Sequence, residues 1–270
     1  MVKNLIFTAI FLLFVSSVFS QNKVLFVMSA ANELPLQKGG NYVETGVFLS
    51  EFYLTLKEIE NMGYGVDFAT PYGVISSIDK ESYKKKYWSG NDTLITEATD
   101  FVKHNQKFNN PITLEQALEN IDYYSGIVIP GGQGLMVDLI NDSIIPQLLK
   151  EFSNKGKPIG LVCHAPALIL SIPKIENPFI GYKVNSVTGL EELFIEKFVM
   201  KGKPTNRKIG KQLKKLGLKY KKGRAASNFA VRDKELITSQ NPYSNEAFNK
   251  LYLEALKEFK ENGALKSLAK

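Results

Sequence analysis

Residues 156–170 read GKPIGLVCHAPALIL. The apolar run Pro158 to Val162 is short and unbroken, as a strand buried on both faces should be. A helix-like stretch, Ala165 to Leu170, follows at once. Between them sit Cys163, the one cysteine of the chain, and His164, one of two histidines. A strand that turns sharply into a helix lifts its corner residue out of the sheet and leaves backbone N–H groups free beside it. The start of the following helix favours a thiolate. A lone cysteine is otherwise a small inert core residue. The corner and the adjacent imidazole point instead to a nucleophile, with His164 able to pair with it.

The same punctuation recurs along the chain. Lys23 to Ser29, Gly65 to Thr70 before Pro71, and Ser125 to Pro130 are further short apolar runs. Lys183 to Val187 and Glu235 to Thr238 are later strand candidates. Glu44 to Met62 is predicted helical, and Tyr243 to Asn262 a closing amphipathic helix. Strands that are continuously apolar and alternate with helices predict an α/β three-layer sandwich, with a mostly parallel central sheet and helices on both faces. Ligands of such sheets bind beyond the carboxyl ends of the strands. Both Cys163 and the turn Gly131-Gly132-Gln133-Gly134 fall there. Residues 74–110 break the rhythm. They are polar, contain Lys84-Lys85-Lys86 and the only tryptophan, Trp88, and are too long for a plain connection. They are expected to form a cap inserted into a single domain spanning 21–270.

The 270 residues are 44% hydrophobic and 23% charged, with a formal charge of +7, which suits one large globular domain. The first twenty residues differ. A short positive start leads into the apolar run Leu5 to Val15, and Val18 and Ser20 stand at the spacing a signal peptidase prefers. A cleavable signal peptide over residues 1–20 is expected, with export to a periplasm or the outside. The apolar run is too short to span a bilayer, and no later segment is long and apolar enough to do so. With no cysteine just after the run, a lipoprotein anchor is not expected either. Export sharpens the meaning of Cys163, because exported cysteines usually pair and a single one cannot bridge internally.

Two further stretches could serve a thiol. Glycines 131 and 132 allow close backbone approach to a substrate oxygen. With the His164 amide, Gly132 could form an oxyanion hole, with Gly131 and Gln133 in the substrate pocket. Glu51 lies on a helix that is apolar nearly all round, sharing a face with Val47 and Phe48. Either it is buried with a raised pKa and exchanges protons with the thiol, or it reaches the rim and is solvated. His104, in the polar insertion, reads as a surface residue. One cysteine and two distant histidines make no metal-binding spacing, and neither metal nor cofactor is expected. The basic stretch Gly210 to Arg224, interleaved with Leu213, Leu216 and Leu218, reads as the solvated face of an ordinary helix and strand rather than a nucleic-acid site.

Taken together, TGVFLSEF at 45–52, GYGVDFATPYG at 63–73, PGGQGLMVDL at 130–139, GLVCHAPALIL at 160–170 and LITSQNPYS at 236–244 resemble the ThiJ/PfpI superfamily. Within it the chain looks closest to the branch of stress chaperones and glutathione-independent glyoxalases. The resemblance spans roughly residues 22–262. It implies a flavodoxin-like, class I glutamine amidotransferase-like fold, with Cys163 on a nucleophile elbow and His164 beside it. It implies that Glu51 hydrogen-bonds the thiol, and that Glu192, with Glu191 as the alternative, orients the histidine. It also implies a homodimer acting on small dicarbonyls without a cofactor, and without nucleic-acid or membrane partners once the signal is cleaved. A holdase chaperone and a cysteine peptidase or amidase are the alternative activities of the same scaffold. The branch usually carries histidine after the two glycines. Here Gln133 stands there, able to donate a hydrogen bond but unable to titrate.

Overall fold

A computed structural model describes residues 23–37 and 40–265. The expected signal peptide lies outside the described residues. The chain runs β1 (Lys23–Val27), β2 (Glu33–Pro35), β3 (Tyr42–Glu44), α1 (Leu49–Asn61), β4 (Gly65–Thr70), α2 (Asp92–His104), α3 (Gln106–Asn109), β5 (Ile112–Thr113) and α4 (Leu114–Glu119). It continues through β6 (Tyr124–Ile129), α5 (Ile144–Asn154), β7 (Ile159–Val162), β8 (Lys183–Val184), α6 (Gly189–Phe194), α7 (Ile209–Leu216), β9 (Lys219–Tyr220), β10 (Ala230–Asp233), β11 (Leu236–Ser239) and α8 (Asn245–Asn262).

Seven strands form the central sheet in the order β10-β11-β7-β6-β1-β4-β5. Every pairing is parallel except β10 with β11. The mostly parallel sheet between helical layers is the architecture expected. β1 and β6 occupy the middle and are apolar on both faces, since helices cover both. On one face α8 sets Phe248, Tyr252, Ala255 and Leu256 against the sheet, a three-and-four spacing that leaves its lysines in solvent. Its rings press so closely on β7 that a side chain at Gly160 would come within 2.6 Å of Phe248. The Tyr252 hydroxyl donates to the Ile127 carbonyl, 3.1 Å away, which spares a buried polar group.

Several elements depart from the sequence expectation. The helix predicted from Glu44 begins at Leu49. Tyr42–Glu44 is a strand, and Val47 is held extended by paired hydrogen bonds with Ser77 and Asp79, which outweigh local helical preference. Of the strand expected over Lys183 to Val187, only two residues pair, and they join β9 in a small parallel ribbon outside the central sheet. The helix expected after His164 is a 3₁₀ segment, Ala165–Ser171. It carries Pro166 in its first turn, and Pro173, two residues past its end, stops any continuation as a longer helix.

Residues 74–110 divide into two parts. Their first part, around Asp79 to Tyr87, borders the pocket described below. Their second part carries Phe101 and Phe108, which pack tilted or edge-on against Phe52 and Phe68 in one aromatic cluster of the main core. Trp88 is buried between the parts, its indole N–H donating to the Ser82 carbonyl. His104 is exposed, as expected.

Candidate active site

Cys163 sits where β7 ends, with a left-handed φ of +59°. That conformation costs a non-glycine residue about 1–3 kcal/mol and persists only where the surroundings enforce it. Two hydrogen bonds enforce it here. The Cys163 amide donates to the Ser239 carbonyl at the end of β11 (2.9 Å), and its carbonyl accepts from the Val187 amide (2.9 Å). The strained turn leaves the side chain facing the loop after β6 and the first turn of α1.

Both neighbours are the ones the sequence singled out. The Phe48 amide, at the start of α1, donates to the Gly131 carbonyl (3.0 Å) and ties the helix to the glycine loop. Glu51, one turn along, is wholly buried. Gly131 is wedged between the two side chains: a Cβ there would overlap the Glu51 carboxyl and lie 2.7 Å from the Cys163 Cβ. Gly132 has φ of +109°, and a Cβ there would overlap the Gly46 carbonyl. Only glycine suits that position. Among the described residues, neither the Gly132 nor the His164 amide donates to a backbone carbonyl, so both stay available to an oxyanion.

Glu51 resolves the choice that the sequence left open. Burial dominates its electrostatics and pushes its pKa up to about 8, against the lowering effect of the Cys163 thiol and the Gly131 amide beside it. Neither carboxyl oxygen makes a hydrogen bond of good geometry, so those two neighbours offset only part of the desolvation. The nearby Asp79, itself raised by burial to about 6, adds a further upward push. Burial also pushes the Cys163 thiol up, as does the charge of Glu51, while the His164 amide pulls it down. Near neutrality Glu51 is mostly protonated, which removes the repulsion and turns it into a donor toward sulfur.

His164 Nδ1 lies 3.2 Å from Cys163 Sγ. Burial lowers the imidazole pKa to about 4, so it is neutral at pH 7. Neither glutamate expected to orient it does so. Glu192 is buried and borders a small cavity of ≈ 10 Å³ together with His164 and Gln133. Its Oε1, however, accepts from the Ile209 amide (3.2 Å), where α7 begins. Glu191 closes a capping box with Thr188 at the start of α6 and accepts from the Ala226 amide and the Asn241 side chain, both at 2.8 Å. Each carboxylate is engaged by orphaned N–H groups of helix ends or loops, which hold it more firmly than a neutral imidazole would. Among the described residues His164 makes no hydrogen bond to a carboxylate, and no three His, Cys, Asp or Glu side chains are grouped as metal ligands.

Above the thiol opens a pocket of ≈ 550 Å³ lined by Gly132, Gln133, Cys163, His164 and Glu191, and by residues that sequence reasoning missed. Asp79, Tyr87, Phe194 and Tyr243 are the main ones. Tyr243 lay within LITSQNPYS, and Asp79 and Tyr87 within the stretch 74–110 expected to form a cap, but none of the four was singled out. These segments have no periodicity to distinguish a pocket wall from a surface.

The chain is similar to the protein/nucleic acid deglycase HchA of Pseudomonas aeruginosa, 27% identical over 239 residues that cover 83% of this chain and 77% of that one. It is similar also to the Escherichia coli protein of the same name, 22% identical over 86% of this chain and 80% of the relative. In structure it resembles glyoxalase III from Candida albicans, with a TM-score of 0.72 at 23% identity, covering 87% of this chain and 98% of that one. The family model described as DJ-1/PfpI matches residues 41–255, across the glycine loop, the elbow and Glu51 alike, and the chain belongs to the DJ-1/PfpI family.

Proposed function

We propose that this chain is a thiol-dependent enzyme that converts 1,2-dicarbonyls to 2-hydroxy acids without an external cofactor. The observation that carries the reading is the pairing of Cys163, on a strained corner, with a buried Glu51 whose pKa lies near 8, under an open pocket. The names of its relatives, deglycase and glyoxalase, agree with chemistry at an aldehyde or its adducts.

The steps balance without an oxidant. The Cys163 sulfur adds to the aldehyde carbon, its proton passes directly or by way of Glu51 to the new oxygen, and a hemithioacetal forms, with Glu51 left as a carboxylate. Glu51, as carboxylate, removes the proton from that carbon, giving an enediol, and returns a proton to the neighbouring carbon. The first carbon is thereby oxidised to a thioester and the second reduced to an alcohol. Water cleaves the thioester, releasing the hydroxy acid and restoring the thiol. The Gly132 and His164 amides stabilise the oxyanions along the way, and neutral His164 accepts or donates at sulfur. A carboxyl with a pKa near the working pH suits such two-way proton transfer. A peptidase reading needs a basic histidine oriented by an acid. The lowered pKa of His164 and its lack of a carboxylate partner count against that.

The test is turnover of methylglyoxal by the purified chain. Cys163→Ala should abolish it, with no thioester trapped on the protein. Undiminished turnover by that variant would overturn the assignment.

A further inference from the structure

The pocket is far larger than a three-carbon dicarbonyl requires. Its ≈ 550 Å³ lies in the range of sites that enclose drug-sized ligands. Apolar side chains from several separate stretches line it. Three of them bring together an aromatic series: Phe48, just before α1, meets Tyr87 edge-on, with centroids 4.9 Å apart, and Tyr87 meets Tyr243, after β11, at 5.5 Å. A further stretch is α6 with the single π-helical turn after it, Ile195–Val199, and the residue that follows, which contribute Leu190, Phe194, Ile195 and Met200. π-turns interrupt helices mainly at functional sites. Leu190 and Phe194 remain 65% and 55% exposed, although each gains by leaving water.

The carboxylates that share this pocket do not call for a cationic ligand. Glu81 is held by Lys84 (2.5 Å), Lys86 (3.1 Å) and the Tyr87 hydroxyl (3.1 Å), and Glu44 by Lys80 (2.6 Å). Glu191 is occupied by the amides and side chains around α6. Asp79 accepts from the Glu81 amide (2.8 Å). Apolar and aromatic surface is what remains for a ligand to cover.

We propose, resting on the reading of the site given above, that the substrates of this enzyme carry a bulky apolar or aromatic group on the ketone carbon. The aldehyde carbon meets Cys163 while that group lies along Leu190, Phe194, Tyr87 and Tyr243. Arylglyoxals are the simplest members of the class. Phenylglyoxal plus water gives mandelate by the same internal redox shift, with no added reactant.

The experiment compares kcat and KM for phenylglyoxal and methylglyoxal in the full chain, in Cys163→Ala, and in the double variant Leu190→Ser, Phe194→Ser. Both substituted side chains are largely exposed, and circular dichroism checks that the variant folds. The wild type should favour phenylglyoxal by about tenfold or more in kcat/KM, mainly through KM. The double variant should lower that preference by about tenfold, and Phe194→Leu should retain most of it. No preference in the wild type, or equal losses for both substrates in the double variant, would overturn the proposal and leave the general reaction standing. If the wild type turns over neither substrate, the general reading fails and this one fails with it.

Discussion

Replacing Glu51 by glutamine separates the acid's proton from its shape. Burial lifts the Glu51 pKa from 4.5 to about 8. A carboxyl raised on folding holds its proton more tightly in the native chain than in the unfolded one. Between those two values the native state therefore binds more protons, and stability falls as the pH rises. Nothing is lost below the unfolded value, and the whole penalty is present above the folded one. At about 1.36 kcal/mol per pKa unit the whole penalty is about 5 kcal/mol, of which roughly 3 accumulates between about pH 5 and about pH 8. Glutamine can accept from the Gly131 amide and turn its NH₂ toward sulfur, but it has no proton to titrate. Glu51→Gln should therefore gain on the wild type by roughly 3 kcal/mol across that interval, measured by urea unfolding at each pH. The same pair compared in a Cys163→Ala background removes the coupled thiol and isolates the carboxyl. In the wild-type background, kcat/KM should fall on the order of 10²- to 10⁴-fold. Parallel stability curves over the whole range would refute the buried, protonated carboxyl. A fully active Glu51→Gln enzyme would refute its role in proton transfer.

The wild-type kcat/KM should rise with pH through a midpoint near pH 8 and level off above it, as Glu51 becomes a carboxylate able to take protons, and Glu51→Gln should flatten that profile. Gly131→Ala would drive a methyl group into the Glu51 carboxyl and the Cys163 Cβ, costing about 1–3 kcal/mol of stability and most of the activity. Alkylation of Cys163 by iodoacetamide should change rate in the same variant. Glu192→Ala removes an acceptor at the start of α7, so it should cost about 1 kcal/mol in denaturant unfolding and lower turnover less than tenfold. A thousandfold loss with unchanged stability would return Glu192 to a triad. A signal peptide cleaved after Ser20 predicts Gln21 as the N-terminus, by mass spectrometry, of any protein recovered outside the cell, and a chain retaining Met1 there would refute that cleavage.

The elements legible in the sequence are those whose burial is complete. β1, β4, β6, β7 and β11 are nearly unbroken apolar runs because helices cover both faces of the sheet. The hairpin of β2 and β3 and the antiparallel edge β10 were not legible, nor was the pairing of β8 with β9 in a ribbon apart from the main sheet, although both fall in stretches read as strand. Each is short or half-exposed and is defined by its partner rather than by its own composition. The start of α1 was misplaced for the same reason: Val47 is extended only because Ser77 and Asp79 come to meet it. The pocket walls were hidden further, because Tyr87 and Phe194 resemble ordinary scattered surface aromatics until the fold sets them above Cys163.

The site divides along the same line. Cys163 could be found because a backbone corner is a local event, written in the change from apolar strand to Pro166 and small residues. The partner of His164 could not, because adjacent glutamates point in different directions and spacing from the cysteine admits both. Their destinations follow from where helices end. Glu191 meets the Thr188 amide at the start of α6, and Glu192 meets that of Ile209 at the start of α7. Asp79, raised by burial to about 6, is held by the Glu81 amide. With the imidazole buried, neutral and without a carboxylate partner, one group beside the sulfur itself is suited to move protons near pH 7. That group is Glu51, carried in from the far side of the glycine loop by a helix that the Phe48–Gly131 hydrogen bond fixes in place. Chemistry that shuttles a proton between adjacent carbons needs one such two-way acid. Hydrolysis of an unactivated amide by a thiol needs a basic histidine oriented by an acid, which this arrangement of residues does not form.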